Sequence, residues 1–424
     1  HTMYVNVDRV LPGEYISIPF VSFASFCSSL SRNRYWTYHW EPDESLTLDT
    51  AASRLHELLQ ERLGAIRSDE NLSPTMMLSG GVDSAGLLAE ANQIGWNIPA
   101  ITLVPDDTAY SELNAVKRIC ERLGTGCLQV PVDADMLAAN LDEGHAVLEQ
   151  PVVHTIALLH MEIYRRAAAA GHNAFICGEA ADTLFGYDRF AKYQQVWDHS
   201  SPLVDPLIRL IARISNHSKF VLWSRLTSPN WREFVCQGRA HFSATELADL
   251  MKVWQPCNDE RMGILENARG SALEAASRYY FETFIQDCRI FIALGRAAGM
   301  EPILPYTSAA VRDFALALPA MLKFGRGRGK LLLKHAMDDS LPDGIAWARK
   351  RSGEQPLGRW LRENQSLERR VAGAVRNSLV DRFFNPESAS RLHSEHSSGT
   401  DHSVLLWQML SLDIWMRECL GKRT

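Results

Sequence analysis

The stretch Met77-Leu-Ser-Gly-Gly-Val-Asp-Ser84 decides the fold. Residues 74–78 form an apolar run suited to a buried parallel strand. Residues 85–94 combine helix formers with apolar side chains at helical spacing, so the glycine pair falls at a strand-to-helix junction. Gly80 and Gly81 let the backbone bend with no Cβ in the way, and Ser79 and Ser84 supply hydroxyls. The helix start directs unpaired N–H groups and a partial positive charge at an anion. Asp83 would repel a bare phosphate, so its presence predicts Mg²⁺ bridging pyrophosphate oxygens, a hard cation that prefers carboxylate oxygen. The Lys-Ser/Thr ending of a Walker loop is missing, which argues against cleavage between the β- and γ-phosphates.

Working outward, residues 47–63 read as a helix, and strands and helices alternate from residue 73 to about 187. The expected strands are 99–104, 127–132 and 173–177; the expected helices are 111–123 and 154–170. This alternation predicts a doubly wound α/β fold, a parallel sheet with helices on both faces. Beyond residue 187 the pattern becomes mostly helical. The N-terminal segment reads as a strand, a turn at Pro12-Gly13, a second strand ending near Ile18, and a serine-rich stretch over 22–31. No internal repeat is visible.

A second cluster, Phe175-Ile-Cys-Gly-Glu-Ala-Ala-Asp-Thr-Leu-Phe-Gly186, again places glycine and acids after an apolar strand. In a doubly wound sheet the carboxyl ends of strands converge on one crevice, so Glu179 and Asp182 are expected to face the Ser79–Ser84 loop. Asp182 would share a metal with Asp83, leaving Glu179 for acid/base work or for holding an amine. Helix capping is the plainer alternative for both acids.

Both motifs carry a resemblance. Ser-Gly-Gly-Val-Asp-Ser resembles the pyrophosphate loop of the ATP pyrophosphatase (PP-loop) superfamily, whose members cleave ATP to AMP and pyrophosphate while adenylating a substrate. The second cluster is similar to the Gly-Glu-Gly-Ala-Asp-Glu-Leu-Phe-Gly-Gly signature of the asparagine synthetase synthetase domain, shared in altered form by β-lactam synthetases, carbapenam synthetase and lasso peptide cyclases. A third block follows in the family's order: Lys330-Leu-Leu-Leu-Lys-His-Ala, Leu341-Pro342, Trp347-Ala-Arg-Lys350 and Gln355-Pro-Leu-Gly-Arg-Trp-Leu361. The match spans roughly residues 45–365 and divides the chain into an N-terminal remnant (1–40), a synthetase domain (41–365) and a helical extension (366–424).

The resemblance implies ATP and Mg²⁺ as cofactors. It implies that Leu78, Leu103 and the backbone of Cys177 and Gly178 surround adenosine, and that Ser79, Gly80, Gly81, Val82, Asp83 and Ser84 make the phosphate loop. Asp83 and Asp182 would hold the metal. Lys330 and Lys350 would contact pyrophosphate, Lys350 also stabilising the later oxyanion, because a preorganised ammonium favours charge that develops in the transition state. Glu179 would serve the incoming amine. Glu112 matches a Ser-Glu pair after the family's second strand, with helix capping as an equal explanation. Cys177 closes an apolar strand without a basic partner and should be inert.

The departures matter as well. Asparagine synthetases carry a glutaminase domain in front, and only its closing strand and Pro-Gly turn have counterparts here, so nitrogen is expected from free ammonia, a separate glutaminase or an amine on the substrate. Ile303-Leu-Pro-Tyr-Thr-Ser308 stands where the family has Arg-x-Pro-Phe-Leu-Asp, Ala180 replaces a glycine and Thr183 an acid. Loss of paired charges weakens the case for aspartate as substrate. Retention of Glu179 pulls the other way, because β-lactam and carbapenam synthetases have tyrosine there. The expected activity is an AMP-forming carbon–nitrogen ligase acting on a small-molecule or peptide carboxylate, with an intramolecular cyclase as the alternative.

Composition narrows the field. The 424 residues, 46% apolar, can bury a large core, and a net charge of −6 gives no support for a nucleic-acid surface, although residues 323–334 form a basic run able to hold phosphate. A tRNA-thiolating PP-loop enzyme should show paired reactive cysteines; the eight here include no C-x-x-C and suggest neither a zinc site nor a disulfide framework. No apolar run is long enough for a membrane, and a reducing cytoplasm is the expected location.

Overall fold

In the computed structural model, the described residues are 6–11, 13–18, 31–215, 218–237, 248–252, 259–266, 271–325, 327–348, 355–377 and 380–421. Near the N-terminus, β1 (Glu14–Ser17) pairs antiparallel with β2 (Ser31–Arg34). The strand expected before Gly13 does not form over residues 7–11; β1 takes its partner from the end of the serine-rich stretch instead. Charge sets that register, because Glu14 stands opposite Arg34 and its carboxylate lies 3.2 Å from Arg32 Nε and 3.4 Å from Arg34 Nη2.

The central sheet is parallel. Its strands are β3 (Pro74–Met77), β4 (Ala100–Pro105), β5 (Cys127–Val132), β6 (Ala174–Ile176) and β7 (Glu301–Ile303), in the order β5-β4-β3-β6-β7. The chain moves outward from β3 to β4 and β5, then returns to lay β6 on the other side of β3, with Thr75 opposite Phe175 and Met76 opposite Ala100. The strand order therefore reverses between β3 and β6, and a crevice opens beyond their carboxyl ends.

The helices that matter to the site are α1 (Leu48–Arg67), α2 (Val82–Gln93), α3 (Leu113–Leu123), α4 (Ala134–Ala139), α5 (Leu141–Leu148), α6 (Thr155–Ala169), α7 (Ala181–Phe185) and α8 (Asp188–His199). α1, α2 and α3 pack in sequence, whereas α5 and α6 pack with the helix Cys288–Ala297, so helices flank the sheet in two groups. Thr47 caps α1 with its hydroxyl on Thr50 N, and the alanine- and leucine-rich face of α1 is buried.

Two further departures from expectation bear on the site. β7 lies inside the half read as mostly helical, where three residues are too few to show periodicity; pairing with β6 and the bond from Cys177 N to Ile303 O define it. Helix α2 starts three residues earlier than the pattern suggested, directly after an extended Gly81, so Asp83 and Ser84 belong to its first turn.

The main core surrounds the sheet and includes the helix Ser403–Trp415, whose Trp407 indole donates to Val152 O at 2.8 Å. A second, aromatic core lies under the helices after α7, where Phe190, Tyr193, Leu265, Tyr279, Tyr280 and Phe324 meet. Cys236 is disulfide-bonded, although the cysteine spacing suggested no disulfide framework. No helix among the described residues is long and apolar enough to cross a membrane.

Candidate active site

The two motifs meet at the strand-order reversal. The loop after β3 enters α2, the loop after β6 enters α7, and a Cβ built on Gly178 would stand 2.8 Å from both Asp83 C and Ser84 N, so the loops touch backbone to backbone. Gly80 is needed for close approach rather than for a left-handed turn: a Cβ there would sit 2.9 Å from Ala115 Cβ. Beside Gly81 only Ser79 Oγ lies nearby, at 3.5 Å, which leaves room along the loop for a ligand. No side chain caps α2 at Gly81. A helix start of that kind suits an anion. Ser79 and Ser84 hydroxyls lie 3.1 Å apart, and Ser84 Oγ accepts from Ser79 N at 2.9 Å, which closes the loop on itself. Leu103 lies near the end of β4, next to β3, on the same edge of the sheet.

Lys330 occupies the centre. Its ammonium donates to Asp83 Oδ1 at 2.8 Å and Oδ2 at 2.9 Å, and lies 2.8 Å from Asp182 Oδ1. Both aspartates thus converge, as expected, but on a lysine of the same chain. Lys330 is 3% exposed and Asp83 9%, so the cluster is largely screened from water. Removing Lys330 from such a buried group would typically cost about 3–5 kcal/mol, because both carboxylates would lose their shared cation, whereas removing one aspartate leaves an ion pair in place. Lys330 also holds a left-handed backbone, φ 57°, immediately before the helix Leu331–Met337. A non-glycine residue there costs roughly 1–2 kcal/mol and persists only where its surroundings over-determine it.

The donor set fits Mg²⁺: two hard carboxylates, from different loops, already share one cation, and the ion commonly takes one or two carboxylates plus phosphate oxygens. No group of three or more His, Cys, Asp or Glu side chains suited to a metal exists among the described residues, so phosphate oxygens and water would complete the shell.

Sequence reasoning missed several supporting contacts. Tyr306 is fully buried and donates to Asp83 O at 3.0 Å, tying the first turn of α2 to the segment after β7. Its signal was the Pro305-Tyr306 pair where the family shows Pro-Phe; the added hydroxyl makes the bond. Glu112 does not cap α3 with its side chain. Instead its carboxylate accepts from Gly80 N at 3.2 Å, which places it on the phosphate loop. Ala180 has φ 74°, the conformation its family counterpart, glycine, adopts without strain.

Glu179 stands between β6 and α7, close enough to push up the pKa values of Tyr164, Cys177 and Cys288 by charge, after burial itself. Cys177 is buried and its thiol is pushed up to about 12, in keeping with an inert side chain.

The third block reaches the same edge of the sheet. Asp106, just beyond β4, accepts from Arg359 Nη2 at 2.7 Å and Trp360 Nε1 at 3.2 Å, which anchors the Pro-Leu-Gly-Arg-Trp-Leu segment. Lys350 lies outside the described residues. Among the described residues, the lysines of the basic run over 323–334 do not form a surface patch. Lys323 and Lys334 are buried, Lys334 Nζ lies 3.4 Å from Asp188, and Lys323 stands over the Trp40 ring with burial drawing its pKa down to about 7. Away from the crevice, a cavity of about 390 Å³ between α3 and β5 is lined by both Cys120 and Cys127, whose thiols lie close enough to shift one another's pKa. Six residues lie between these cysteines, and no motif marks their proximity.

The asparagine synthase family model matches residues 54–417, beyond the stretch over which the motifs were recognised. The chain belongs to the asparagine synthase family. A putative glutamine-hydrolyzing asparagine synthetase of Mycobacterium tuberculosis (strain ATCC 25618 / H37Rv) is 25% identical over 356 residues, covering 80% of this chain and 53% of the relative. Glutamine-hydrolyzing asparagine synthetase 1 of Bacillus subtilis (strain 168) is 20% identical over 435 residues, covering 100% of this chain and 67% of the relative. The chain thus spans about half the length of the mycobacterial protein.

Proposed function

We propose that the crevice between β3 and β6 binds Mg-ATP and transfers AMP to a substrate carboxylate, after which ammonia or an amine displaces AMP to form an amide. The observation that carries this reading is the convergence of Asp83 and Asp182, from two strand-end loops, on one cation. The uncapped start of α2 and the Ser79 and Ser84 hydroxyls receive phosphate oxygens, with Gly178 keeping the second loop against the first. Bound Mg²⁺ would supply charge neutralisation to the phosphates. Asp83 and Asp182 would hold it.

The substrate carboxylate attacks the α-phosphorus, the bond to the bridging oxygen breaks, and pyrophosphate leaves as an acyl-adenylate forms. Lys330 stabilises the charge that accumulates on the leaving group. The nitrogen nucleophile then attacks the acyl carbon; Glu179, in the segment between β6 and α7, accepts its proton, and AMP leaves. Lys350 is assigned the tetrahedral oxyanion by its place in the family pattern. Proximity of the two reactants contributes on the order of 7–11 kcal/mol in favourable cases, provided water is excluded.

ATP–pyrophosphate exchange measured across a panel of amino-acid, small-acid and peptide carboxylates, with mass spectrometry of products, tests the proposal. Exchange stimulated by particular acids, with an amide appearing on addition of ammonia, is the expected result. Exchange indifferent to every acid, or hydrolysis to ADP and phosphate, would refute it.

A further inference from the structure

We propose that Lys330 is the resident counter-ion of the metal site: in the absence of nucleotide its ammonium fills the place between Asp83 and Asp182, and it yields that place only when Mg²⁺ and a triphosphate arrive together. The inference rests on the reading of Asp83 and Asp182 as the metal pair and adds a coupling that this reading does not contain.

The argument is one of shared oxygens. Lys330 Nζ engages both oxygens of Asp83 at 2.8 and 2.9 Å and one oxygen of Asp182 at 2.8 Å. A divalent cation bridging the same carboxylates needs those lone pairs, and an ammonium still bound to them would face it at close range in a poorly hydrated pocket. The two cations therefore compete. An ammonium on a flexible four-carbon stem can leave without backbone motion, but its stem is 4% exposed and bulk water offers it little compensation inside the fold. A displaced lysine needs a new anion nearby, and the phosphates bound at the start of α2 supply one, since Asp83 itself belongs to that first turn.

Metal entry and formation of the lysine–phosphate contact become one event. Reciprocity of linkage then requires that nucleotide tighten metal binding by the same factor by which metal tightens nucleotide binding. The arrangement also protects the site. Without ATP, the two carboxylates keep a resident cation and do not scavenge free divalent ions.

Mn²⁺ serves as the probe, followed by its electron paramagnetic resonance signal, with and without the non-cleavable analogue α,β-methylene-ATP. Wild type should bind Mn²⁺ at least ten-fold more tightly with the analogue than without. Lys330→Met should bind Mn²⁺ at least ten-fold more tightly than wild type in the absence of nucleotide, and lose most of the nucleotide dependence. Lys330→Arg, which keeps the charge and the carboxylate contacts, should behave like wild type.

Should Lys330→Met prove poorly folded, the double variant Lys330→Met/Asp182→Asn removes one charge of each sign and provides the reference. Added Mn²⁺ should raise the melting temperature of Lys330→Met but not that of the double variant. Unchanged nucleotide-free Mn²⁺ affinity in Lys330→Met, with nucleotide-dependent binding intact in wild type and lost in Asp182→Asn, would overturn the counter-ion role while leaving the metal pair standing. Failure of wild type to bind Mn²⁺ even with the analogue would overturn both.

Discussion

The crevice at the ends of β3 and β6 and the aromatic lobe beyond α7 are held together by opposite means. In the crevice, backbone presses on backbone at Gly178, two residues sit in the left-handed region, and an ammonium is enclosed by carboxylates. The lobe has stacked and edge-on rings instead: Tyr187 and Tyr280 stack with centroids 5.1 Å apart, and Phe190 meets Tyr280 edge-on at 5.3 Å. Ring packing and apolar burial stabilise without directing any charge outward. The crevice carries strain and concentrated charge, which structures retain where a ligand supplies the missing interactions. Activity should therefore respond to one region and stability to the other.

The largest expected effect is chemical. Asp83→Asn should lower ATP–pyrophosphate exchange about 100-fold or more, the scale of losing one preorganised electrostatic partner. Lys330 keeps Asp182 as a partner in that variant, so circular dichroism and the melting curve should change little. Full exchange activity in Asp83→Asn would mean that the metal reading is wrong. The converse variant lies in the lobe. Leu265 is fully buried among the aromatic rings, and Leu265→Ala should cost about 2–5 kcal/mol in chemical denaturation. The exchange rate per folded molecule should stay within two-fold or so of wild type. A large rate loss at full folding would show that the lobe shapes the crevice.

Lys323 joins the two regions and responds to pH. Its carbonyl packs on Gly186, its ammonium is buried over Trp40, and burial brings its pKa down to about 7 from the usual lysine range near 10.5. Below pH 7 both folded and unfolded chains carry the proton, and the folded state bears the whole desolvation penalty. Between pH 7 and about 10 the unfolded chain holds the proton and the folded chain does not, so this group's contribution to stability rises with pH. Lys323→Met, of similar volume, should therefore stabilise by roughly 1–3 kcal/mol at pH 6, with the advantage shrinking towards pH 10. Urea denaturation of both proteins across that range checks the sign; a constant or growing gap would exclude a buried, charge-penalised lysine.

Much of this contrast was legible in the sequence. Period and turn residues located β3, β4, β5, β6 and the helices α2, α3 and α6 to within a few residues, because apolar alternation and glycine placement act locally, but not the short α4 and α5. The meeting of the Ser79–Ser84 and Gly178–Asp182 loops followed from topology alone. What stayed hidden depends on tertiary partners. Lys330 reads as a phosphate ligand in the family pattern, yet which anion it faces without nucleotide is decided by two loops far away in the chain. Tyr306 and β7 have local sequences too short to show a period, and the Cys120–Cys127 contact depends on how α3 leads into β5. Glu112 was left between two roles, and the distance to Gly80 N distinguishes them.

The smallest effect compares the two regions most directly, because one chemical change should have opposite signs in them. Ala180 lies in the crevice at φ 74° and ψ −11°, where its Cβ crowds the following carbonyl. Ala180→Gly removes that strain, roughly 1–2 kcal/mol, and gives back part of it, about 0.4–1 kcal/mol, through the greater freedom of glycine in the unfolded chain. A net gain of about 0.5–1 kcal/mol is expected. Ala276 sits fully buried inside the helix Ala272–Phe284 in the lobe, with ordinary helical geometry. There Ala276→Gly loses helix propensity and a packed methyl, a cost of about 1 kcal/mol or more. Parallel urea curves give both values with the same systematic error, so the difference between the variants, near 1.5–2 kcal/mol, is better determined than either alone. Equal destabilisation at both sites would mean that the left-handed turn at Ala180 carries no strain to release, and that the crevice is built by the same packing as the lobe.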